Sequence, residues 1–492
     1  ATGTGKTKTL QLIAEQLSAA GVPVFAADIK GDLSGIASPG ESSPRLLERT
    51  EGIGQSWTPA AFPAEFFSLG GRGRGVPIRA TVAGFGPLLL ARALGLNETQ
   101  ESSLGLVFHY AEDAGLPLLD LADLRAVLGF LVSDEGKGEL AALGGLSKAT
   151  VGVILRELIV FADRGADTFF GEPEIDTAEF LRTAVDGRGV VSLLEVPGVA
   201  DRPELYSTFL MWLLADLFND LPEVGDLDKP KLVFFFDEAH LLFADASKEF
   251  LAQVVRTVRL IRSKGVGVFF VTQTPKDVPS DVLAQLGSRI QHQLRAFTPA
   301  DAKALAATVT TYPTSPYDLG EVLTLLGTGE AVVTVMNEKG APSPVAWTRL
   351  RAPQALMSPS PDEAIARAVA ASALTARYST PVDRESAREL LTARLEAATA
   401  AVRRAEEAAA AAEAQAEYER QAAAIDKATA AAEKEAQREY DRMMKRTQTT
   451  TRRPSTRSSS TSVLEEVLGS RATRTILTGV VEGIFGTRRR RR

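Results

Sequence analysis

The chain begins with the stretch ATGTGKTKT, in which two closely spaced glycines lead into a lysine and a threonine. Gly5, Lys6 and Thr7 match the end of the pattern G-x-x-x-x-G-K-[ST], whose first glycine would lie just upstream. Glycines let the backbone curl, so that successive N–H groups point inward and bind phosphate oxygens. The sequence therefore predicts a phosphate-binding loop that leads into a helix. The alternative interpretation is a flexible glycine turn in front of an ordinary helix.

The side chains of this loop indicate how it would hold a nucleoside triphosphate. Lys6 would reach the β and γ phosphates, and the hydroxyl of Thr7 would bind Mg²⁺. The N-terminus of the following helix adds a partial positive charge that favours an anion. The residues predicted to bind the nucleotide are Thr2, Gly3, Thr4, Gly5, Lys6, Thr7 and Lys8.

A second informative stretch is KLVFFFDEAH. Five consecutive apolar residues, 232–236, predict a strand buried on both faces, and Asp237 and Glu238 follow where the strand reaches the edge of its sheet. In a nucleotide hydrolase the aspartate holds Mg²⁺ and the adjacent glutamate polarises the attacking water. The alternative is a strand that ends in a charged turn. The presence of the phosphate-loop pattern favours the catalytic interpretation, because each motif needs the other.

Further candidates follow the acidic pair. The strand VGVFFVT, residues 266–272, ends in Gln273, which would sense the γ-phosphate or orient water if its strand neighbours the acidic one. Arginines late in such domains often reach the γ-phosphate bound by a neighbouring subunit, and the candidates are Arg262, Arg289 and Arg295. The alternative for each arginine is a solvated or salt-bridged surface position.

Length and composition narrow the class of protein. The 492 residues exceed one average domain, and 45% hydrophobic residues are enough for a large core. The sequence has no cysteine, which excludes disulfides and thiolate metal sites, and its three histidines are scattered. We expect no signal peptide, and no apolar run reaches the ~18 residues that cross a bilayer. These features fit a cytoplasmic protein, and the net charge of −7 argues against a uniformly nucleic-acid-coated surface.

The alternation of helical and strand-like segments predicts an α/β fold with a mainly parallel sheet. A helical period without chemistry-bearing residues interrupts it, which predicts an all-helical insertion. The predicted divisions are 1–84 for the first part of the nucleotide-binding core, 85–185 for the helical insertion, 186–352 for the second part of the core, 353–382 for a linker, 383–446 for a long helix, 447–462 for a disordered segment and 463–492 for an amphipathic helix with a basic tail.

The composition changes sharply toward the C-terminal part. Residues 383–446 are rich in Ala, Glu, Arg and Gln, which favours a solvated single helix or a weak alanine-based coiled coil. Residues 463–485 carry an apolar helical pattern, and five arginines, 488–492, follow it. This tail would lie on an anionic membrane surface or bind DNA phosphates. Alternatively, it is a helix that docks onto another subunit and carries a solvated tail.

Five stretches together carry a family resemblance: ATGTGKT at 1–7, DIKGD at 28–32, FDEAH at 236–240, IRSKGVG at 261–267 and TQTP at 272–275. They resemble the HerA-like branch of the HerA/FtsK P-loop ATPases. The chain is similar, more closely, to a bacterial HerA-like subfamily classed as a domain of unknown function. This resemblance runs from residue 1 to about 350.

The resemblance implies a RecA-like core, ATP as fuel with Mg²⁺, a hexameric ring and, as in better-known members, helicase or translocase activity on double-stranded DNA. The resemblance implies that Lys6 binds phosphate and that Thr7 binds Mg²⁺. It does not identify which arginine acts across subunits. It also implies Asp237 as the metal-side carboxylate, Glu238 as the catalytic base and Gln273 as the sensor. The alternative function is a scaffold or interaction ATPase that does not move along DNA.

Two departures from the family pattern concern the start of the sequence. The first loop glycine and the strand before it are not in the sequence, and neither is the barrel domain that begins many HerA proteins. Because Ala1 is not a methionine and stands inside the motif, we expect further residues upstream. The missing strand would be central, so its loss would leave the backbone groups of two neighbouring strands unpaired. We therefore expect a protein that begins at Ala1 to be insoluble or inactive.

Overall fold

The structure is a computed structural model that describes residues 3–28, 31–143, 146–195, 203–225, 227–243 and 248–447. The predictions for Thr2, for most of the disordered segment and for the tail at 463–492 lie outside the described residues. Two compact units are distinguished, residues 1–398 and residues 399–492.

In the part of the chain that the structure describes, nine strands form two sheets. They are β1 (Val24–Asp28), β2 (Ala64–Leu69), β3 (Val76–Ile78), β4 (Val191–Glu195), β5 (Leu232–Phe236), β6 (Val266–Phe270), β7 (Arg289–Gln291), β8 (Glu330–Thr334) and β9 (Ala346–Arg349). Six strands form a sheet in the order β3-β2-β4-β1-β5-β6, and every neighbouring pair is parallel. The other three form an antiparallel sheet in the order β7-β8-β9.

Helices connect and cover these strands. They are α1 (Lys6–Ala19), α2 (Pro44–Glu51), α3 (Val82–Phe85), α4 (Pro87–Ala93), α5 (Glu98–Asp113), α6 (Leu121–Val132), α7 (Lys137–Ala142), α8 (Lys148–Asp163), α9 (Pro203–Asp220), α10 (His240–Phe243), α11 (Lys248–Leu260), α12 (Ser280–Leu283), α13 (Pro299–Val309), α14 (Leu319–Leu325), α15 (Asp362–Ala371), α16 (Ala373–Tyr378) and α17 (Ala387–Thr447). Among the described residues, no helix has both the length and the hydropathy needed to span a bilayer.

The middle of the parallel sheet is buried on both faces, as its uninterrupted apolar strands predict. Alternate residues of β1 and β5 point to opposite sides. Phe25 and Phe234 stack with ring centroids 4.6 Å apart in one core cluster. Val24 and Phe235 belong to a second cluster on the other face, which also contains Leu10 of α1. The sheet is therefore sandwiched between two apolar layers, and α1 lies in one of them.

The predicted helical segment between β3 and β4 contains α3 to α8. Two of its helices begin with reciprocal capping boxes, Asn97 with Gln100 in α5 and Asp120 with Asp123 in α6. Its apolar stripes are buried in the same cluster as one face of the parallel sheet. These stripes therefore form core, as their period indicates.

Two segments differ from the sequence-based expectation. Residues 38–75 are rich in Gly, Pro and Ser, a composition typical of loops, but they contain α2 and the buried strand β2. Residues 353–382 were expected to be a linker, but they form α15 and α16. Ile365 and Tyr378 are fully buried there, because they pack on the core of the first unit.

The long helix α17 starts four residues later than expected and ends at Thr447. Its first turns belong to the first unit, where Ala387 and Leu391 are buried. In the second unit, the side chains of residues 399–446 are exposed almost throughout. Large apolar residues are sparse in this stretch of the sequence, which accounts for its exposure.

Candidate nucleotide-binding site

The phosphate-loop pattern adopts a tight glycine turn in front of α1. Gly3 and Gly5 have φ values of 80° and 101°, in the left-handed region that favours glycine. Gly5 precedes the first helical residue, Lys6. A Cβ atom on Gly5 would lie 3.4 Å from the backbone nitrogen of Gly329, which also donates to the carbonyl of Thr4 over 3.4 Å. The loop therefore requires glycine at position 5 for its conformation, and it rests on the segment before β8.

The loop lies at the carboxyl edge of the parallel sheet. Lys8, in the first turn of α1, donates to the carbonyl of Asp32, 3.3 Å away and just beyond the end of β1, and to the side chain of Gln11. Burial lowers the pKa of Lys8, although Asp32 and Asp28 act in the opposite direction. Ligands in open α/β sheets bind at this edge. The ammonium of Lys8, which we predicted to bind nucleotide, is directed in this structure to Gln11 and Asp32.

The acidic pair follows β5 at the same edge. Asp237 accepts a 3.0 Å hydrogen bond from the backbone N–H of Glu238 through Oδ1. Glu238 has φ 48° and is the only described non-glycine residue with a positive φ. Left-handed backbone costs a residue with a side chain about 1–3 kcal/mol and is concentrated at functional sites. The structure therefore holds Glu238 in a strained conformation directly beside the predicted metal-side carboxylate.

The turn that carries Gln273 lies beside the acidic pair. Phe270 of β6 is in register with Phe236 of β5, and the ladder continues beyond both strands. The N–H of Val271 donates to the carbonyl of Phe236 over 2.9 Å, and the N–H of Ala239 donates to the carbonyl of Val271 over 2.8 Å. The exposed Gln273 follows two residues later. The strands are therefore neighbours, as the sensor interpretation requires.

A network around Asp277 fixes this turn. The hydroxyls of Thr272 and Thr274 each donate to its carboxylate over 2.8 Å, and the N–H of Thr274 donates over 3.0 Å. Burial acts to raise the pKa of Asp277, but these hydrogen bonds hold it below its ordinary value. Gln273 therefore lies in a turn that is stabilised by hydrogen bonds to the ionised carboxylate of Asp277.

Two buried acids stand at the ends of neighbouring strands, and only one of them, Asp28 of the DIKGD stretch, was named from the sequence. Asp28 of β1 and Glu195 of β4 are in register. Asp28 accepts from the N–H groups of Gly31 and Leu33, so it shapes the DIKGD turn. Burial raises the pKa of Glu195, and its partner Arg74, with Nε 3.2 Å from the carboxylate, opposes that rise. The only sequence signal for Glu195 was its position at the end of an apolar strand.

A buried histidine beside the loop was also missed. The ring of His292 lies close to Gly5, because a Cβ atom there would be 3.8 Å from Cε1. Its Nε2 is 2.9 Å from the Oγ1 of Thr9 in α1. Burial lowers the pKa of His292, and the charge of Lys6 lowers it further. A neutral imidazole therefore packs beside the phosphate loop.

The three candidate arginines lie in different places. Arg262 is exposed and precedes β6, so it is at the opposite end of that strand from Gln273. Arg289 opens β7, where it donates to Thr311 over 2.5 Å and lies over the Tyr312 ring. Arg295 is exposed just after β7. Its near neighbour in sequence, Phe297, is 83% exposed.

The donor groups at this edge suit a nucleotide with Mg²⁺. Thr7 is half-buried in the first turn of α1 and offers a hydroxyl oxygen, and Asp237 offers carboxylate oxygens. Mg²⁺ prefers such oxygen ligands, usually one or two from the protein together with phosphates and water. Gly3 and Gly5 form a left-handed turn at the start of a helix, and turns of this kind present backbone N–H groups that bind anions. The residues present therefore fit both groups.

The family described as "Helicase HerA-like C-terminal" matches residues 1–490. The chain belongs to this family. The α/β fold predicted from the sequence, with a mainly parallel sheet and a helical insertion, is confirmed. A comparison with proteins of curated function finds no match to this HerA-like chain.

The chain is also similar to several solved structures at low sequence identity. The plasmid coupling protein TrwB in complex with ADP and Mg²⁺ has a TM-score of 0.50 and 14% identity, covering 72% of this chain and 84% of that chain. The unbound bacterial conjugative coupling protein TrwBΔN70 has a TM-score of 0.48 and 14% identity, covering 73% and 85%. VirB4 of Thermoanaerobacter pseudethanolicus has a TM-score of 0.45 and 13% identity, covering 72% and 87%.

Proposed function

We propose that this HerA-like protein is a Mg²⁺-dependent ATPase. The proposal rests on the left-handed backbone of Glu238, which lies beside Asp237. This pair directly follows β5, and β5 is the neighbour of β6, the strand that precedes Gln273. Both turns lie at the edge of the sheet where the Gly5–Lys6–Thr7 loop starts α1. Strained backbone at a carboxylate, next to a phosphate-binding loop, supports a catalytic role for that carboxylate.

The chemistry assigned to these residues is hydrolysis of the bond between the β and γ phosphates. Glu238 accepts a proton from a water molecule as the oxygen of that water forms a bond to the γ phosphorus. The bond from the γ phosphorus to the bridging oxygen breaks, and ADP leaves with the bonding electron pair. Gln273 orients the water from the neighbouring turn. The products are ADP and inorganic phosphate.

The loop side of the site supplies binding and charge. Backbone N–H groups of residues 3–7 and the ammonium of Lys6 bind the phosphate oxygens. Mg²⁺, when held by Thr7 and Asp237, supplies charge neutralisation at the phosphates. His292 stays neutral beneath the loop, so it adds no second cation next to Lys6. Binding and turnover are thus assigned to different elements, α1 for binding and the ends of β5 and β6 for turnover.

We further propose that the protein works as a hexameric ring that translocates along double-stranded DNA. Membership of a family described as helicase supports this assignment. The exposed pair Arg295 and Phe297 supports a contact with a neighbouring subunit, in which the arginine stabilises the charge of the transition state.

The alternative is an ATPase that acts as a scaffold and does not move along DNA. The long exposed stretch of α17 at residues 399–446 favours it, because such a helix offers a large surface to partners.

Hydrolysis assays separate the two functions. ATP turnover by the full-length protein, with any residues that precede Ala1, is measured with Mg²⁺ or with EDTA, with and without double-stranded DNA, at two salt concentrations. The motor predicts Mg²⁺-dependent turnover stimulated by DNA and DNA binding that weakens with salt. Turnover without stimulation and without salt-sensitive DNA binding would leave only the scaffold ATPase. The absence of any turnover, in a protein that is folded, would refute the proposed ATPase itself.

A further inference from the structure

The side chain of Arg49 ties α2 to the antiparallel sheet. Its Nη2 donates to the carbonyl of Gly329 over 3.0 Å and to the carbonyl of Leu350 over 3.3 Å. Its Nη1 donates to the carbonyl of Thr328 over 3.4 Å. Arg49 is half-buried, and a guanidinium holds its N–H donors in a fixed, planar arrangement. One side chain therefore holds both the residues just before β8 and the residue just after β9.

Gly329, which Arg49 holds by its carbonyl, contacts the phosphate loop through its nitrogen. The N–H of Gly329 donates to the carbonyl of Thr4 over 3.4 Å. A Cβ atom on Gly5 would lie 3.4 Å from the nitrogen of Gly329 and 3.7 Å from its Cα. The contact is thus between two backbones with no side chain in the gap. A displacement of Gly329 would therefore reach the loop directly.

Gly329 and Arg49 fit each other closely. Gly329 has φ 77°, in the left-handed region that favours glycine. A Cβ atom at this position would lie 2.5 Å from Nη2 of Arg49, a separation too short for a real contact. Any side chain at position 329 would therefore push the guanidinium away from the carbonyl that it binds.

The position of the loop matters because its backbone N–H groups bind the anion. A loop that is ordered before binding avoids the loss of conformational entropy that ordering on binding would cost. The bond from Gly329 to the carbonyl of Thr4 opposes rotation of the peptide that joins Thr4 to Gly5. The segment that Arg49 holds therefore restrains the part of the loop that precedes Lys6.

We propose that Arg49 is a positioning residue for nucleotide binding, which acts through Gly329 on the loop at residues 3–7. This role rests on the proposed ATPase function. Arg49 has no contact with the nucleotide in this assignment, and the assigned catalytic groups, Glu238 and Gln273, lie on other elements. Loss of the guanidinium therefore weakens nucleotide binding, whereas turnover of the bound nucleotide stays close to that of the wild type.

Nucleotide affinity, KM and kcat are measured for the full-length protein, with any residues that precede Ala1. Arg49→Ala should weaken binding of a non-hydrolysable ATP analogue about 10-fold and raise KM, with kcat within about 2-fold. Arg49→Lys keeps the charge but loses the planar fork, so it should recover only part of the affinity. Arg45→Ala is the matched control, because Arg45 is exposed one turn earlier on α2 and should leave the three constants unchanged.

Hydrogen exchange of the nucleotide-free protein tests the same restraint without ATP. Residues 3–9 should exchange faster in Arg49→Ala than in the wild type, because the loop has lost its support. Helix α5, in the helical insertion, should exchange at the same rate in both proteins. A uniform increase over the whole chain would indicate general destabilisation and would overturn the positioning role.

A double variant tests whether Arg49 acts through Gly329. Gly329→Ala should also weaken analogue binding, because its Cβ displaces the guanidinium and strains the backbone. In the Arg49→Ala background the crowding is gone, so Gly329→Ala should cost less affinity than it does in the wild type. Fully additive losses would overturn the inference.

Two further outcomes would count against Arg49. Equal analogue affinity for wild type and Arg49→Ala would overturn the inference, and so would a loss of kcat at unchanged affinity. A folded wild-type protein that neither binds nor hydrolyses ATP would instead refute the proposed ATPase. The exchange rates of residues 3–9 would then still show whether Arg49 holds the loop.

Discussion

His292 Nε2 lies 2.9 Å from Thr9 Oγ1, which joins the segment after β7 to the first turns of the helix that carries the phosphate loop. His292 is buried, and its pKa is lowered by that burial and by the charge of Lys6. Because the folded state disfavours the imidazolium, the unfolded state binds the proton more readily. The contribution of the neutral His292 to stability is therefore complete above the pKa that this histidine has in the unfolded chain. It is lost as the pH falls toward the lower pKa that the histidine has in the folded protein.

We expect the melting temperature of the wild type to decrease as the pH is lowered below about 6.5, the ordinary pKa of histidine. His292→Gln, which keeps an amide near Thr9, should show a weaker fall over the same range. His109→Gln serves as the control because His109 is exposed. The melting temperatures of the three proteins are measured between pH 8 and pH 5. Identical pH dependence in His292→Gln and wild type would contradict the prediction.

Gly5→Ala tests the loop conformation. Gly5 has φ 101°, and a Cβ there would meet the Gly329 nitrogen at 3.4 Å, so the variant suffers both backbone strain and crowding. We expect it to weaken ATP binding at least about 10-fold and to lose about 1–3 kcal/mol of unfolding free energy. Titration with a fluorescent ATP analogue and chemical denaturation measure the two effects.

Gly3→Ala is the matched control for Gly5. Gly3 also has a positive φ, 80°, but a Cβ there would meet nothing within 4 Å. It should therefore suffer strain without crowding and lose less stability than Gly5→Ala. If both variants lost the same stability, contact with Gly329 would not matter.

Glu238→Gln separates nucleotide binding from turnover. The amide is nearly isosteric but cannot accept the proton of the attacking water, so kcat should fall by about 10²–10⁴. Affinity for ATP should stay within about 2-fold, because Lys6 and the loop glycines are untouched. Single-turnover hydrolysis and equilibrium binding measure both quantities. Retained turnover would mean that the base lies elsewhere.

Where the sequence pattern was strong, the structure agrees with it. The uninterrupted run Leu232–Phe236 predicted a strand buried on both faces, and it lies inside a parallel sheet. The Gln273 strand and the acidic strand are neighbours, as the sensor interpretation required, and a parallel α/β sheet aligns the carboxyl ends of its strands. Local pattern was sufficient for these features, because burial and strand direction follow from residue type and period.

The sequence was not sufficient to predict the features that depend on packing between distant segments. The strand Ala64–Leu69 is short and surrounded by turn-forming residues, and its pairing with β3 and β4 stabilises it. Ile365 and Tyr378 lie in a segment with linker-like composition, yet both are buried against distant parts of the chain. His292 meets Thr9 across 283 positions of sequence, which no local pattern reveals. Contacts between distant segments thus account for the features that were missed.

We expect Arg295, rather than Arg262 or Arg289, to act on a neighbouring subunit. It is exposed beside the exposed Phe297, whereas Arg289 is engaged with Thr311 and Tyr312. Arg295→Ala should lower kcat by about 10³-fold without loss of stability, the scale of an arginine finger. Arg289→Ala should instead lower the melting temperature. Steady-state hydrolysis and thermal unfolding distinguish the two effects.

A mixing experiment tests whether Arg295 acts across a subunit boundary. Arg295→Ala subunits keep Glu238, and Glu238→Gln subunits keep Arg295, so each supplies what the other lacks. In an equal mixture roughly a quarter of the interfaces of a closed ring would join an intact base to an intact arginine by chance. We therefore expect activity to reappear in mixtures of two inactive proteins. A mixture as inactive as its components, once subunit exchange is verified by fluorescence energy transfer, would show that Arg295 is not a trans-acting finger.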